Sequence, residues 1–356
     1  MTLFIVGPTE IEQDILDLGT LPQVYMRTPD FSARLEKIHK NLQYIFQTSN
    51  PVVMFAASGT GSLNAAVNNF VAKDDKVIVI NGGSFGHRWV EMLERAQANV
   101  VEAKVEFGKS INPSEIEWLL NKNSDTKALF ATLDETSSGA LTDVKALGTI
   151  LKNFPNTLFI VDCVSALIIE PFKMDEWGID VAVTASQKAL AIPPGMSFMA
   201  VSEKAIRKAE QVSTRPFYFD ILEHIKDWKR NQTPFTPAVS LVYQLERRLE
   251  KIRTEGLETL QDRYFKLTEY LRNKISELGF EMIPEHPSSC VSAYWSGKYP
   301  ASKIVDILRT EYGMEIAPSG GELKDKMFRI GNFGNITYAD IDELIAKLKL
   351  TLSKLN

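Results

Sequence analysis

The chain has 356 residues, of which 44% are hydrophobic and 24% charged, a composition typical of a globular protein of about two domains. The 40 lysine and arginine residues are outnumbered by 45 aspartate and glutamate residues, so a basic surface for nucleic acid or anionic membranes is not expected. The two cysteines cannot form a disulfide framework, and no apolar run approaches the ~18 residues that span a bilayer. The first residues lack a basic segment and a long apolar stretch, so we expect a cytoplasmic protein.

Short β-rich runs alternate with helix-like stretches between residues 50 and 201. This alternation is typical of a mainly parallel sheet covered by helices on both faces. Apolar residues three to four positions apart predict one helix before the sheet, at about 31–45. We therefore expect an α/β domain. The predicted strands are 52–57, 76–80, 128–133, 157–161, 180–184 and 197–201, and the later predicted helices are 61–72, 86–98, 113–121 and 143–153.

After residue 201 the sequence changes to long helical segments with mixed charges, a pattern typical of solvent-exposed helix faces. Two of these segments are 238–253 and 256–278, and Gly279 ends the second. We divide the chain into an N-terminal segment at 1–19, a large α/β domain at 20–255 and a smaller α+β domain at 256–356. The last domain is predicted as strand, helix, strand and helix at 289–295, 303–312, 327–330 and 338–352.

A glycine-rich turn, Ser58-Gly59-Thr60-Gly61-Ser62, follows a predicted strand and opens a helix. Backbone N–H groups and the positive end of the helix dipole can bind a phosphate at such a turn. A nicotinamide dinucleotide would require a glycine in place of Asn64 and an acidic residue in place of Asn81, and the nucleoside-triphosphate motif is absent. The turn therefore indicates a different phosphorylated ligand, unless it is only a tight connection between strand and helix.

Two charged residues follow predicted strands at the same edge of the sheet. Asp162 closes the apolar run 158–161, and Lys188 comes just after the strand 180–184. Ligands of open α/β sheets bind at the carboxyl ends of the strands, where a buried carboxylate needs a cationic partner. Taken alone, Asp162 could form a salt bridge or cap a helix, and Lys188 could be a surface lysine. Together with the glycine turn, they supply what pyridoxal phosphate (PLP) requires: an anion site, a carboxylate for the pyridine nitrogen and an amine that forms a Schiff base.

Two further side chains suit the same site. Phe85 follows a strand end and could stack on the cofactor ring, although a core aromatic residue would also fit this position. Arg329 interrupts an apolar strand, and its guanidinium suits a substrate carboxylate as well as a structural ion pair. The four histidines are scattered without ligand spacing and neither cysteine lies in a Cys-x-x-Cys motif, so we expect no metal site.

Six motifs occur in order along the chain: Gly-Pro-Thr at 7–9, Ser-Gly-Thr-Gly at 58–61, Asp-Glu-Thr-Ser-Ser-Gly at 134–139, Val-Asp-Cys-Val-Ser at 161–165, Ala-Ser-Gln-Lys-Ala-Leu at 185–190 with Pro-Pro-Gly at 193–195, and Arg-Ile-Gly at 329–331. In this order they resemble the class V aminotransferases of fold type I, in particular the alanine–glyoxylate and serine–pyruvate aminotransferase group. The resemblance covers nearly the whole chain. It implies a large PLP-binding domain with a mainly parallel seven-stranded sheet and a smaller C-terminal domain.

The resemblance also implies a role for each residue of the site. Lys188 forms the Schiff base, Asp162 pairs with the pyridinium nitrogen and Phe85 stacks on the ring. Arg329 binds the substrate α-carboxylate, and Gly7 belongs to the substrate site. The further cofactor-binding positions are Ser58, Gly59, Thr60 and Gln187 at the phosphate, Thr136 near the phenolate oxygen, Val164, and Thr233 and Thr236, which reach the phosphate of the partner subunit in a homodimer with shared active sites.

Four positions depart from the family pattern around the expected substrate pocket. Val6 stands where proline is frequent, Asn64 where glutamate is common, Leu133-Asp134 where His-Asn is common, and Asn332 where histidine often follows Arg-Ile-Gly. The PLP assignment does not depend on these positions, but they leave the amino donor and acceptor open. We predict a transaminase that moves an amino group from a small amino acid, such as alanine or serine, to a small 2-oxo acid, such as glyoxylate or pyruvate.

Three alternatives stay open at this point. A 2-aminoethylphosphonate transaminase would belong to the same class, although those enzymes usually carry a different lysine motif. A cysteine desulfurase-like lyase shares the fold but requires a mobile cysteine nucleophile, whereas Cys290 lies in the predicted strand 289–295. Desulfurases also usually stack a histidine where Phe85 stands. A non-enzymatic protein that binds a phosphorylated ligand would be colourless and would not depend on Lys188.

Overall fold

The computed structural model of the protein describes residues 2–356. The strands are β1 (Thr2–Phe4), β2 (Val52–Phe55), β3 (Lys76–Asn81), β4 (Asn99–Lys104), β5 (Ala128–Thr132), β6 (Asp134–Glu135), β7 (Ala140–Leu141), β8 (Leu158–Asp162), β9 (Val181–Ala185), β10 (Ser197–Val201), β11 (Glu281–Met282), β12 (Val291–Trp295), β13 (Met314–Pro318) and β14 (Met327–Gly331). The helices are α1 (Gln13–Leu18), α2 (Pro29–Phe46), α3 (Gly59–Phe70), α4 (Ser84–Arg95), α5 (Pro113–Lys122), α6 (Val144–Leu151), α7 (Glu203–Gln211), α8 (Ile221–Trp228), α9 (Val239–Glu255), α10 (Leu257–Ser276), α11 (Ala301–Tyr312) and α12 (Tyr338–Leu355).

A seven-stranded sheet has the order β2-β10-β9-β8-β5-β3-β4. Strand β10 runs antiparallel to both of its neighbours, and the other four pairs are parallel. Successive side chains point to opposite faces, so Ile78 and Val79 enter different apolar cores. Because both faces are covered, β5, β8 and β9 are buried along their whole length and are apolar except near their carboxyl ends. The predicted α/β architecture with a mainly parallel seven-stranded sheet is confirmed.

All six strands predicted from the sequence belong to this sheet, and their ends differ by at most two residues. The seventh strand, β4, was not predicted. It lies at the edge of the sheet and pairs only with β3. Ala103 is its one buried residue, so its sequence lacks the continuous apolar run that identifies the central strands.

A second sheet has five strands in the order β1-β13-β14-β12-β11 and packs against α10, α11 and α12. Predicted elements of the C-terminal region correspond to β12, α11, β14 and α12, whereas β13 was missed. Strand β1 comes from the other end of the chain and runs parallel to β13. One residue, Gly256, separates α9 from α10, and its positive φ of 83° favours glycine. The domain limits at 20 and 256 stay a prediction.

The strand register of the large sheet places polar groups side by side at one edge. Thr132 at the end of β5 is opposite Asp162 at the end of β8, and Asp162 is opposite Val183 in β9. This carboxyl edge is where parallel sheets bind ligands. Among residues 2–356, no helix has the length and apolar character needed to cross a bilayer.

Candidate active site

A cavity of about 210 Å³ lies at the carboxyl edge of the seven-stranded sheet. Nine of the eleven predicted cofactor-binding residues line it, so the structure brings together residues that are up to 130 positions apart in the sequence. These nine are Ser58, Gly59, Thr60, Phe85, Thr136, Asp162, Val164, Gln187 and Lys188; the remaining lining residues are Leu63, Arg88, Thr132, Asp134 and Ser165.

The glycine turn forms one wall of the cavity where α3 begins. A Cβ atom on Gly59 would lie 3.2 Å from side-chain atoms of both Ala185 and Val164, so a larger residue would be crowded there. The side chain of Ser58, the residue before the helix, makes no capping hydrogen bond. The N–H groups of the first turn therefore keep their capacity to bind an anion.

Lys188 is buried, with 8% of its surface exposed, so the surface-lysine alternative is wrong. Its Nζ donates a hydrogen bond to the carbonyl oxygen of Val6. Gly7 has a φ of 104°, and a Cβ on it would lie 2.8 Å from Cδ of Lys188, so only glycine fits. The N–H of Thr9 donates to the carbonyl of Gln187 at 3.1 Å. The N-terminal segment therefore covers Lys188 and places Gly7 beside it.

Two buried charged side chains line the cavity, those of Asp162 and Lys188. Asp162 is 4% exposed and accepts a hydrogen bond of 2.9 Å from the N–H of Val164. Burial raises the pKa of Asp162 to about 6, against the opposing effects of that hydrogen bond and the charge of Lys188. Burial also lowers the pKa of Lys188 to about 8, although Asp134 and Asp162 oppose the change. Asp162 forms no salt bridge within residues 2–356, which excludes that alternative for this part of the chain.

Asp134 is a second buried carboxylate in the cavity, with 2% of its surface exposed. It accepts hydrogen bonds from the hydroxyl of Ser288 at 2.5 Å and from that of Thr136 at 3.2 Å. Burial raises the pKa of Asp134 to about 7, against the hydrogen bond from Ser288 and the charge of Lys188. In the sequence, Asp134 stands in one of the six motifs and departs from the family pattern, but no contact could be predicted for it because its partner Ser288 is 154 residues away.

Phe85 lies in the first turn of α4 and is half-buried rather than a core residue. The Glu135 carboxylate holds this turn, since it accepts hydrogen bonds from the N–H groups of Phe85 at 3.1 Å and Gly86 at 2.9 Å. The Arg88 guanidinium carbon lies 4.7 Å from the centroid of the Phe85 ring. Glu135 stands in one of the six motifs, but the sequence predicts no role for it, and Arg88 is not predicted as a site residue. Their spacing in the sequence carried no signal for either contact.

Arg329 projects from β14 and is held by backbone carbonyls rather than by a carboxylate. Its Nη1 donates to the carbonyl of Thr136 at 2.9 Å, and its Nη2 donates to that of Pro318 at 2.8 Å. Its buried Nε has no hydrogen-bond partner. Burial lowers the pKa of the Arg329 guanidinium from its ordinary value. Within residues 2–356 the structural ion pair considered for Arg329 does not form, so its charge is available beside the cavity.

The two predicted threonines of the partner phosphate site lie away from this cavity. Thr233 and Thr236 line a separate small cleft with Phe235, and the hydroxyl of Thr233 donates to the Phe235 carbonyl at 2.7 Å. Among the family departures, Asn64 is exposed on α3. Asn332 is buried and donates to the carbonyl of Tyr264 at 3.1 Å. Within one chain the structure does not bring these residues to Lys188.

Comparison with known proteins identifies the family. The chain matches the family model described as aminotransferase class-V over residues 20–322. The chain belongs to the class V aminotransferases. It is 33% identical to an uncharacterized aminotransferase of Methanocaldococcus jannaschii, over 99% of this chain and 93% of that protein. It is 31% identical to the L-aspartate–glyoxylate aminotransferase of Paracoccus denitrificans, over 99% of this chain and 91% of that protein. The crystal structure of an alanine–glyoxylate aminotransferase from Nostoc sp. has a TM-score of 0.94 and 28% identity, over 98% of this chain and 94% of that one.

Class V aminotransferases depend on PLP, and the cavity of this aminotransferase has the groups that PLP requires. The glycine turn forms an anion cradle that a Cβ would crowd, and Lys188 supplies a buried amine. Three buried polar atoms at or beside the cavity have no hydrogen-bond partner: Thr132 Oγ1, Gln187 Oε1 and Arg329 Nε. Because buried polar atoms are normally paired, these atoms indicate a site built for a polar ligand.

Asp134 predicts a pH-dependent difference in stability. An aspartate whose pKa rises from its ordinary 3.8 to about 7 on folding destabilises the folded state as the pH increases through that range. Asparagine stays neutral, so the stability of Asp134→Asn relative to wild type should be higher at pH 8 than at pH 5. Urea unfolding of the cofactor-free aminotransferase at both pH values measures this difference. The exposed Asp30→Asn variant is the control, and an equal difference at the two pH values would contradict the prediction.

Proposed function

We propose that this aminotransferase binds PLP in the cavity between the glycine turn and Lys188. We propose further that it transfers an amino group from a small amino acid, such as alanine or serine, to glyoxylate or pyruvate. The observation that carries the proposal is the burial of Lys188 and Asp162 together at the sheet edge where α3 begins. Bound PLP supplies an electron sink that makes the α-hydrogen of an amino acid acidic.

Lys188 is suited to two roles at neutral pH. Its lowered pKa of about 8 leaves a fraction of the amine uncharged, and an uncharged amine is the nucleophile that attacks a carbonyl group. The same amine can accept and return a proton close to the substrate. Asp162 is largely ionised above its pKa of about 6, so it can hold a protonated ring nitrogen in place.

The surroundings of Arg329 favour a substrate that carries a carboxylate. Its Nε is buried and unpaired, and its other donors are directed to carbonyl groups that leave its charge uncompensated. A planar guanidinium binds a carboxylate through parallel hydrogen bonds. The relatives include proteins named L-aspartate–glyoxylate, serine–glyoxylate and alanine–glyoxylate aminotransferase. All three names share glyoxylate, which supports glyoxylate as the amino acceptor of this chain. The three names differ in the amino acid, so the amino donor has to be measured.

The cysteine desulfurase alternative does not suit the two cysteines. Cys163 and Cys290 are both completely buried, and burial raises the pKa of each thiol well above its ordinary value. A desulfurase nucleophile requires an accessible thiolate. A 2-aminoethylphosphonate donor differs from an amino acid in the anionic group offered to Arg329, so a substrate panel distinguishes it.

The function is tested with purified protein and a panel of donors and acceptors. Alanine, serine, aspartate and 2-aminoethylphosphonate are each combined with glyoxylate and pyruvate, and the product amino acid is measured. We expect a yellow protein that converts small amino acids. Lys188→Ala should lose the visible absorbance, and its turnover should fall by ~1,000-fold or more. The reason is that the substitution removes both the covalent anchor and the proton carrier. The exposed Lys324→Ala is the control. A yellow and active Lys188→Ala protein would contradict the proposal.

Arg329→Lys should bind PLP as wild type does but bind substrates poorly. A lysine ammonium is a point charge on a flexible chain and cannot reproduce the two-pronged contact. Losing one partner of a desolvated charge pair weakens affinity by roughly 30-fold to several thousand-fold. Titration with the amino acid and then with the oxo acid measures each affinity, with Arg309→Lys on α11 as the control. Weaker binding of the amino donor alone, or loss of PLP binding, would show that Arg329 has another role.

We also propose a homodimer in which Thr233 and Thr236 bind the phosphate in the partner's cavity. The proposal is supported by their position outside the chain's own cavity and by exposed aromatic residues nearby: Phe217 is 85% exposed and lies 5.5 Å from the Phe235 ring. We expect light scattering to give twice the 40.0 kDa chain mass. Thr233→Ala and Thr236→Ala should each weaken PLP retention by ~1.5–3 kcal/mol. A fully active monomer would refute the shared site.

A further inference from the structure

Arg88 is a cation in the cavity to which neither the family pattern nor the proposed function gives a role. It lies on α4 one turn after Phe85 and is half-buried. Its Nη1 donates to the hydroxyl of Thr60 at 3.2 Å, so the guanidinium is next to the glycine turn. No carboxylate within residues 2–356 forms a salt bridge with it. A half-buried guanidinium without a carboxylate is suited to an anionic ligand.

The glycine turn lacks a charged side chain of its own. Ser58, Gly59, Thr60 and Gln187 offer only neutral donors, and the start of α3 contributes the equivalent of about half a positive charge. A phosphate monoester carries about −1.5 to −2 charge at pH 7. Lys188, the other cation of the lining, is the amine assigned to the carbonyl group of the cofactor rather than to its phosphate. Among the residues that line the cavity, Arg88 is the remaining cation.

The position of Arg88 is fixed from two sides. Its guanidinium carbon lies 4.7 Å from the centroid of the Phe85 ring, an arrangement in which the ring restricts the motion of the guanidinium. The helix that carries both residues is held at its first turn by the Glu135 carboxylate. The donors of Arg88 are therefore arranged near Thr60 before any ligand binds.

We propose that Arg88 is a phosphate-binding residue of the PLP site. Its guanidinium, resting on the Phe85 ring, neutralises the phosphate held at the turn of Ser58, Gly59 and Thr60. The inference rests on the proposed function. It adds a charged contact from within the same chain, which the neutral threonines at 233 and 236 cannot supply.

The test compares PLP with pyridoxal, which lacks the phosphate. Holoenzymes of wild type, Arg88→Gln and Arg88→Lys are prepared, cofactor release is followed by the loss of visible absorbance, and reconstitution is titrated with each compound. We expect Arg88→Gln to weaken PLP binding by about 10- to 100-fold while pyridoxal binding changes less than about twofold. Arg88→Lys should be intermediate, because it keeps the charge but loses the planar guanidinium. Arg95→Gln, an exposed residue at the end of the same helix, is the matched control.

Each outcome separates this inference from the proposed function. If Arg88→Gln weakens the binding of PLP and of pyridoxal equally, Arg88 acts through Phe85 alone. If the binding of both compounds is unchanged, Arg88 has no role in cofactor binding. Either result overturns the inference, while the proposed dependence on PLP stands. Inorganic phosphate should also slow reconstitution with PLP in wild type more than in Arg88→Gln. A wild-type protein that binds neither compound would overturn the proposed function and the inference with it.

Discussion

The burial of Lys188, Asp162 and Asp134 at one sheet edge is the constraint on which the rest of the site depends. Each group would be costly to bury alone, because burial disfavours the charged form of all three. A parallel sheet solves this by bringing the carboxyl ends of β5 and β8 and the loop after β9 to the same edge. Their charges then lie close enough to compensate one another partly while the cavity stays open for a ligand.

The N-terminal segment connects this edge to the second sheet. Strand β1 pairs with β13, and the chain then passes over Lys188, where the carbonyl of Val6 accepts its hydrogen bond. A Cβ on Gly331 would lie 2.2 Å from the carbonyl oxygen of Ile5, so this crossing requires a glycine directly after β14's Arg-Ile pair. The strand that carries Arg329 and the segment that covers Lys188 are thus packed against each other. The proposed substrate and cofactor groups therefore share one framework.

The sequence predicts the parts of this architecture that depend on local patterns. Buried strands produce apolar runs, and Asp162 and Lys188 are recognisable because they lie at or a few residues beyond the ends of such runs. Edge and short strands such as β4 and β1 lack this signal, since only part of each is buried. Contacts between distant segments cannot be predicted from local patterns either. Arg88 donates a hydrogen bond to a hydroxyl 28 residues away, and Glu135 accepts one from a helix turn 50 residues away. Such residues are identified only when the sheet has brought their elements together.

The charged groups around the cavity are held by neutral partners. Lys188 donates to a carbonyl, Asp162 accepts from a backbone N–H, and Arg329 donates to two carbonyls. The carboxylate of Asp134 and the guanidinium of Arg88 are likewise held by hydroxyls. None of the five forms a salt bridge within residues 2–356. A salt-bridged side chain would have to break its pair before binding a ligand, whereas these groups are held in position without a direct ion pair. Such preorganisation lets binding of a charged ligand proceed with little rearrangement of the protein.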